Sequence, residues 1–368
     1  MNVSSSVAVT ALVVGASLLS APAAAAPPPA LACGDRVEGT VVLTRDLVCA
    51  TGPGLVLTHG ATLDLGGHTL RGSGSGTALL LTAPDAWPPE PVTVENGVVR
   101  DWELGLETYD SAATVRAVTF DRIERDAVSG LASALTVDAV TVRRSGAGVD
   151  FSYNGTGTVT RSRFVDTGLA VYLGQYSQVE VSDTTIERTT IGVACSEGFV
   201  LVTRSRLVQN TTAVLFDWCT NSRLHDSELA RNGTALATRT PAPYVTGEWE
   251  GAQVFRNRFD RNEVAVDLRE NAHLQDNRFT RNGTAFRALT AGNDFPISLF
   301  ALERNTFDRN GDAVDVDTRI RMQDNVATRN TGWGIHTPAA EDLGGNVAWG
   351  NGREPQCTGV VCTGRPRS

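Results

Sequence analysis

Residues 274–286 read LQDNRFTRNGTAF, residues 302–314 read LERNTFDRNGDAV, and residues 322–330 read MQDNVATRN. Extended along the chain, this pattern supplies one apolar anchor per unit: Leu70, Val99, Phe120, Val142, Phe164, Ile186, Leu207, Leu229, Phe259, Phe279, Phe307, Ala327 and Ala348. Nine of the twelve steps between anchors are 20 to 22 residues, and the other three are 28 to 30. A second apolar column follows seven residues after most anchors, as at Leu106, Val149, Val171, Val214, Val266, Phe286 and Val314. Apolar residues alternate with polar ones around each anchor, a strand period with no helical stripe. The multi-leucine consensus of leucine-rich repeats is absent.

Two polar columns accompany the anchors. Asn257, Asn277, Asn305 and Asn325 stand two residues before them, continued upstream by Ser162, Ser205 and Ser227. Asn210, Asn232, Asn262, Asn282, Asn310, Asn330 and Asn351 stand three residues after. Asparagine tolerates left-handed backbone and bonds locally, so both columns are expected at turns, with amide ladders between stacked coils. The sequon-like triplets at Asn154, Asn210, Asn232 and Asn282 read as turns in this light. A third column, Arg161, Asp183, Arg204, Asp226, Arg256, Asp276, Arg304 and Asp324, alternates in sign through eight coils. It predicts a charge ladder along one sheet, each member with opposite neighbours above and below.

Composition removes whole classes of function. The 368 residues carry 41 acidic and 32 basic side chains, net −9, and no lysine. Schiff-base chemistry and Gly-Lys phosphate loops are thereby excluded, and an acidic chain is a poor nucleic-acid binder. Residues 7–19 (VAVTALVVGASLL) are too short to span a bilayer and precede an alanine-rich stretch. Residues 1–25 therefore read as a signal peptide without a basic n-region, and the mature protein as secreted, without a transmembrane segment. Export permits disulfides, and nearest-neighbour pairing gives Cys33 with Cys49, Cys195 with Cys219, and Cys357 with Cys362. No C-x-x-C suggests zinc.

The repeat resembles the right-handed parallel β-helix of the pectate lyase-like superfamily. TRDLVC ending at Cys49, LDLGGHTLRG from Leu63, and GNGREPQC near the end resemble the caps of secreted bacterial members. The resemblance implies an all-β solenoid of about 13 coils with disulfide-capped ends. The expected divisions are an N-terminal cap over residues 26–62, the β-helix over 63–351, and a C-terminal cap or tail over 352–368. It also implies a groove floored by the first strand of each coil, a monomer, and an extracellular polysaccharide as partner.

On that groove strand the outward residues come one position after the second apolar column, and the last four are Asp267, Arg287, Asp315 and His336. Arg239, Arg269, Asp217 and Asp317 lie two residues further on. The longer repeats place insertions at residues 82–91, 239–250 and 289–297, of which the last two carry Tyr244, Trp249 and Phe295. Asp267 and Asp315 are two coils apart, ~9.6 Å on the strand spacing, near the wide end of the ~6.5–9.5 Å range for inverting glycosidases. The catalytic candidates are therefore Asp267, Asp315 and His336. Arg287, Arg269, Asp317, Tyr244 and Trp249 are the substrate-binding candidates. The resemblance adds a calcium requirement as an option, since pectate lyases bind that ion through acidic residues. Against this stand the missing motifs. The Asn-Thr-Asp, Asp-Asp and Gly-His-Gly of polygalacturonases and the Asp-Pro-His-Asp of mannuronan epimerases do not occur. Two classes stay open: a polysaccharide lyase, hydrolase or epimerase, and a non-catalytic glycan-binding or structural surface module. A one-sign stripe of Arg231, Arg261, Arg281, Arg309 and Arg329 reads as a solvated turn edge balanced by Asp260 and Asp308.

Overall fold

A computed structural model describes residues 31–81, 90–219, 221–239, 251–269, 271–289 and 300–364. The expected signal peptide, Tyr244, Trp249, Phe295 and most of the three insertions lie outside the described residues.

Each coil lays down three short strands, as in Val264–Leu268, Ala272–Gln275 and Arg278–Thr280. Every strand pairs in parallel with its counterpart one coil on, so Val266 faces Phe286, Leu274 faces Leu302, and Phe279 faces Phe307. The first strands of successive coils form a 15-stranded sheet, here called the groove sheet, running from Arg36–Val37 to Cys357–Thr358. The second and third strands form the remaining walls, merged into continuous strands at Val92–Trp102 and Ala112–Ile123. Coil pairing begins at Arg36, within the segment expected as a cap. No helix occurs among the described residues, and none is long and apolar enough to cross a membrane.

The anchors fill the interior. Phe259, Phe279 and Phe307 are fully buried and stack with centroids 4.7 Å apart and planes within 9°. The strand spacing of a parallel sheet sets this separation, which places identical rings in van der Waals contact.

Both asparagine columns form continuous ladders. Asn262 donates from its backbone N and from Nδ2 to Asn282 Oδ1, and Asn282 does the same to Asn310. Each Nδ2 also donates to a carbonyl of the preceding coil, as Asn282 does to Phe259 O at 3.1 Å. Upstream the hydroxyls of Thr184, Ser205 and Ser227 accept in the same place, and Asn257 continues the line. One expectation needs correction. The ladder asparagines are not the left-handed residues; that conformation belongs to the residue just before each, usually a charged one, such as Asp276 (φ 56°) before Asn277 and Arg281 (φ 56°) before Asn282. The asparagine is needed for its amide, which bonds two backbone groups and the amides of both neighbouring asparagines at a buried corner. Asn210, Asn232 and Asn282 are accordingly 2% exposed, closed to glycosylation in the folded chain.

The charge column also differs from expectation. It runs along a turn corner and resolves into discrete pairs. Arg204 bonds Asp183 through Nε and Nη2 at 3.0 and 2.8 Å, and Arg256 bonds Asp226 likewise at 2.8 Å. Arg304 pairs with Asp276, and Arg161 turns to Asp138 outside the column. A guanidinium fork satisfies one carboxylate with two parallel bonds, which leaves no matching edge for the carboxylate on its other side. Of the turn-edge stripe, Arg261 reaches Asp260 while Arg309 and Arg329 flank Asp308, as the balancing reading requires.

The bidentate bond from Arg256, with help from His225, holds the Asp226 carboxyl at about 2, below its ordinary 3.8. A depressed acid stabilises the fold above its unfolded value and stops doing so as pH falls through its folded one. Asp226→Asn should therefore melt below wild type at neutral pH, with the gap closing between about pH 4 and pH 2. A gap independent of pH in thermal melts would show that the ionised pair contributes nothing.

All three expected disulfides form: Cys33–Cys49, Cys195–Cys219 and Cys357–Cys362. The first and last lie near the ends of the solenoid. Cys195 pairs in register with Phe216, three residues before Cys219, so the middle bridge joins adjacent coils.

Candidate functional site

The groove sheet turns every second side chain outward because its alternate residues, among them Val214, Leu236, Val266, Phe286 and Val314, are buried in the interior. Its outward column is in register as expected: Ala237 faces Asp267, Asp267 faces Arg287, and Asp315 faces His336. The four polar residues divide into two pairs. Arg287 bonds Asp267 through Nε at 3.1 Å and Nη2 at 2.6 Å. Asp315 Oδ1 instead accepts from His336 Nδ1 at 2.9 Å. Arg287 is thus held by one of its two neighbouring carboxylates through a bidentate bond, for the same geometric reason as in the charge column. That bond raises the Arg287 pKa further above its ordinary range, keeping the guanidinium charged.

Around this centre the charges are less committed. Arg239, Arg269 and Asp317 are exposed and make no ion pair among the described residues. His336 stacks on Trp333, centroids 4.5 Å apart at 16°, and the Arg353 guanidinium lies 5.2 Å from the Trp333 ring. Trp333 was not singled out in the sequence, because it precedes the strand and belongs to no repeating column. Its backbone N donates to Asp312 Oδ1 at 2.8 Å, which fixes its position.

Asp267 is committed to an arginine and Asp315 to a histidine, and no three metal-capable side chains converge among the described residues. A site needing six or more oxygens is not assembled by these groups.

The earlier coils of the same column carry Glu107, Ser129, Asp150 and Tyr172. Burial pushes the carboxyls of Asp150 and nearby Asp126 above their ordinary range, and Ser152 Oγ donates to Asp150 Oδ1 at 2.6 Å. The sequence could not mark these two, since partial burial depends on neighbouring side chains. A hollow of about 560 Å³ lies by Gly72, Asp101 and Trp102, but the arginines beside it are engaged: Arg71 and Arg122 by Asp101, Arg144 by Asp121.

The family model described as a right handed beta helix region matches residues 104–301. No curated protein sequence is recognisably similar. Among solved structures, a mutant of the periplasmic alginate epimerase AlgG is 13% identical over 85% of this chain and 69% of its own, with a TM-score of 0.41. The catalytic unit of a thermostable α-1,3-glucanase from Streptomyces thermodiastaticus is 13% identical over 88% of this chain and 63% of its own, TM-score 0.45. PfbA, a surface adhesin of Streptococcus pneumoniae, is 10% identical over 84% and 82%, TM-score 0.33.

Proposed function

Because the chain belongs to the right-handed β-helix family, we propose that its groove sheet binds an extracellular polysaccharide at the coils centred on Arg287. The observation that carries this reading is the state of the arginines. Arg287 is held charged by Asp267 yet has 46% of its side chain exposed, and Arg239 and Arg269 beside it are unpaired among the described residues. Three guanidiniums on neighbouring coils suit a polymer whose carboxylates recur along its length, as in a uronate-rich glycan. Three disulfides fit an oxidising, extracytoplasmic compartment.

Within this reading His336 is the acid–base group best placed for chemistry. Asp315 engages Nδ1 and so orients the ring, leaving Nε2 as the nitrogen free of that carboxylate. Both oxygens of Asp267 are taken up by Arg287, and Arg287 itself would have to shed a proton it holds very tightly. The second reading, a binding module without turnover, is favoured by the absence of the polygalacturonase and mannuronan-epimerase motifs.

The test is retardation of the full chain in gels containing soluble polygalacturonate or alginate. Arg287→Ala should weaken binding at least tenfold. Arg206→Ala, which removes an exposed arginine from another wall of the solenoid, should not change it. Equal behaviour of the two variants would place the site elsewhere. Loss of any turnover in His336→Gln with binding retained would select the enzyme reading, and absence of turnover in wild type the binding module.

A further inference from the structure

The corner where the chain leaves the groove sheet carries a row of exposed aromatic residues on its earlier coils. Tyr109, Tyr153 and Tyr176 are 61%, 53% and 65% exposed, and Trp218 is 39% exposed. With Leu131 they account for five of the ten large apolar side chains exposed among the described residues. Their coils are consecutive: Tyr109 faces Leu131, and Leu131 faces Ser152, which precedes Tyr153. The backbone N of Tyr176 then bonds Glu197 O, and that of Glu197 bonds Asp217 O, next to Trp218. Five coil steps separate the ends of the row, about 24 Å on the strand spacing.

Folding does not require aromatic rings here. Tyr153, Tyr176 and Trp218 hold left-handed backbone, φ 48°, 60° and 61°. At the other two corners the same conformation falls mainly to arginine and aspartate, many of them ion-paired, as with Arg204 and Arg329. Exposed apolar groups gathered in one row mark a binding surface rather than a core.

We propose that this corner, from Tyr109 to Trp218, is a stacking track for a neutral glycan chain, separate from the Arg287 site. The C–H face of a pyranose ring is apolar and weakly positive, and it packs against the electron-rich face of tyrosine or tryptophan. Tyr153 and Tyr176 lie edge to face with centroids 6.4 Å apart, close enough for successive rings of one chain to meet both. Hydroxyls at the rim of those rings need acceptors. Asp110, Glu197 and Asp217 stand at the corner itself. No arginine stands at this corner from Tyr109 to Trp218, and the first, Arg239, comes one coil later, so a polyanion lying on the tyrosines meets carboxylates. A neutral chain satisfies both the rings and the acceptors.

The test uses the full chain in native gels containing a mixed-linkage β-glucan, a xylan, a galactomannan or polygalacturonate. At least one neutral polymer should retard the wild type. The double variant Tyr153→Ala/Tyr176→Ala should bind that polymer at least tenfold more weakly with unchanged melting, and Tyr153→Phe/Tyr176→Phe should bind it as wild type does. Arg287→Ala should leave neutral-polymer binding intact, which separates this site from the uronate site whatever becomes of the latter. Three results would overturn the proposal: no neutral polymer retards the wild type, the alanine pair binds undiminished, or the pair only converts a dimer of this chain into a monomer.

Discussion

Replacing Asn282 with alanine should lower the unfolding free energy by about 3–5 kcal/mol, a large effect for one polar side chain. Its Oδ1 accepts from Asn262 N and Nδ2, and its Nδ2 donates to Phe259 O and Asn310 Oδ1, all at 2.9 to 3.1 Å and all buried. Alanine leaves two donors on Asn262 and one carbonyl on Phe259 without partners in a space too small to hydrate fully. Each such group costs about 1–3 kcal/mol. Asn282→Asp should be no better at neutral pH, because it sets an oxygen against two acceptors. Asn154→Gly is the control: Asn154 is exposed, left-handed and outside the ladder, and glycine accepts that conformation. Denaturant midpoints measure all three. If Asn282→Ala unfolds with Asn154→Gly, the ladder is ornamental.

The second large effect is in the ring stack. Phe279 lies between Phe259 and Phe307 with 4.7 Å to each, and all three are fully buried. Phe279→Ala removes the middle ring and opens a cavity that parallel coils fixed by their hydrogen bonds cannot close. The expected cost is about 3–5 kcal/mol. Phe279→Leu, which refills most of the volume, should recover at least half of it. Because a coil touches only its neighbours, the damage should stay local. Hydrogen exchange should then quicken in residues 251–330 before it does around Val142. Uniform acceleration along the chain would mean that the solenoid unfolds as one unit.

What the sequence reveals and conceals here follows from the repeat. The anchors, the second apolar column and the asparagine columns each recur once per coil, so a register error would displace every coil at once. Pairings such as Phe279 with Phe307 and Asp267 with Arg287 could be read before any coordinates. Cys195 and Cys219 were legible on the same ground, being one coil and a few residues apart. Choice of partner was not legible. Arg304 bonds Asp276, and Arg287 bonds Asp267, each forming one bidentate pair where the alternation of sign allowed two. Nor did the composition of the asparagine columns reveal that the left-handed residue is the charged neighbour. Trp333 beside His336 escaped because it occupies no repeating column, and the aromatic corner because the residue type at that position changes from coil to coil. A binding surface differs from its scaffold in departing from the repeat.

The most direct measurement is the affinity of the full chain for a soluble uronate polymer as a function of ionic strength. Binding through Arg287, Arg239 and Arg269 should weaken steeply between 50 mM and 500 mM salt, since each exposed guanidinium–carboxylate contact is screened. The Arg287→Ala variant should bind more weakly and with a shallower salt slope. Contradiction would come from affinity indifferent to salt, from a variant slope equal to that of the wild type, or from no binding to any uronate polymer at the lowest salt.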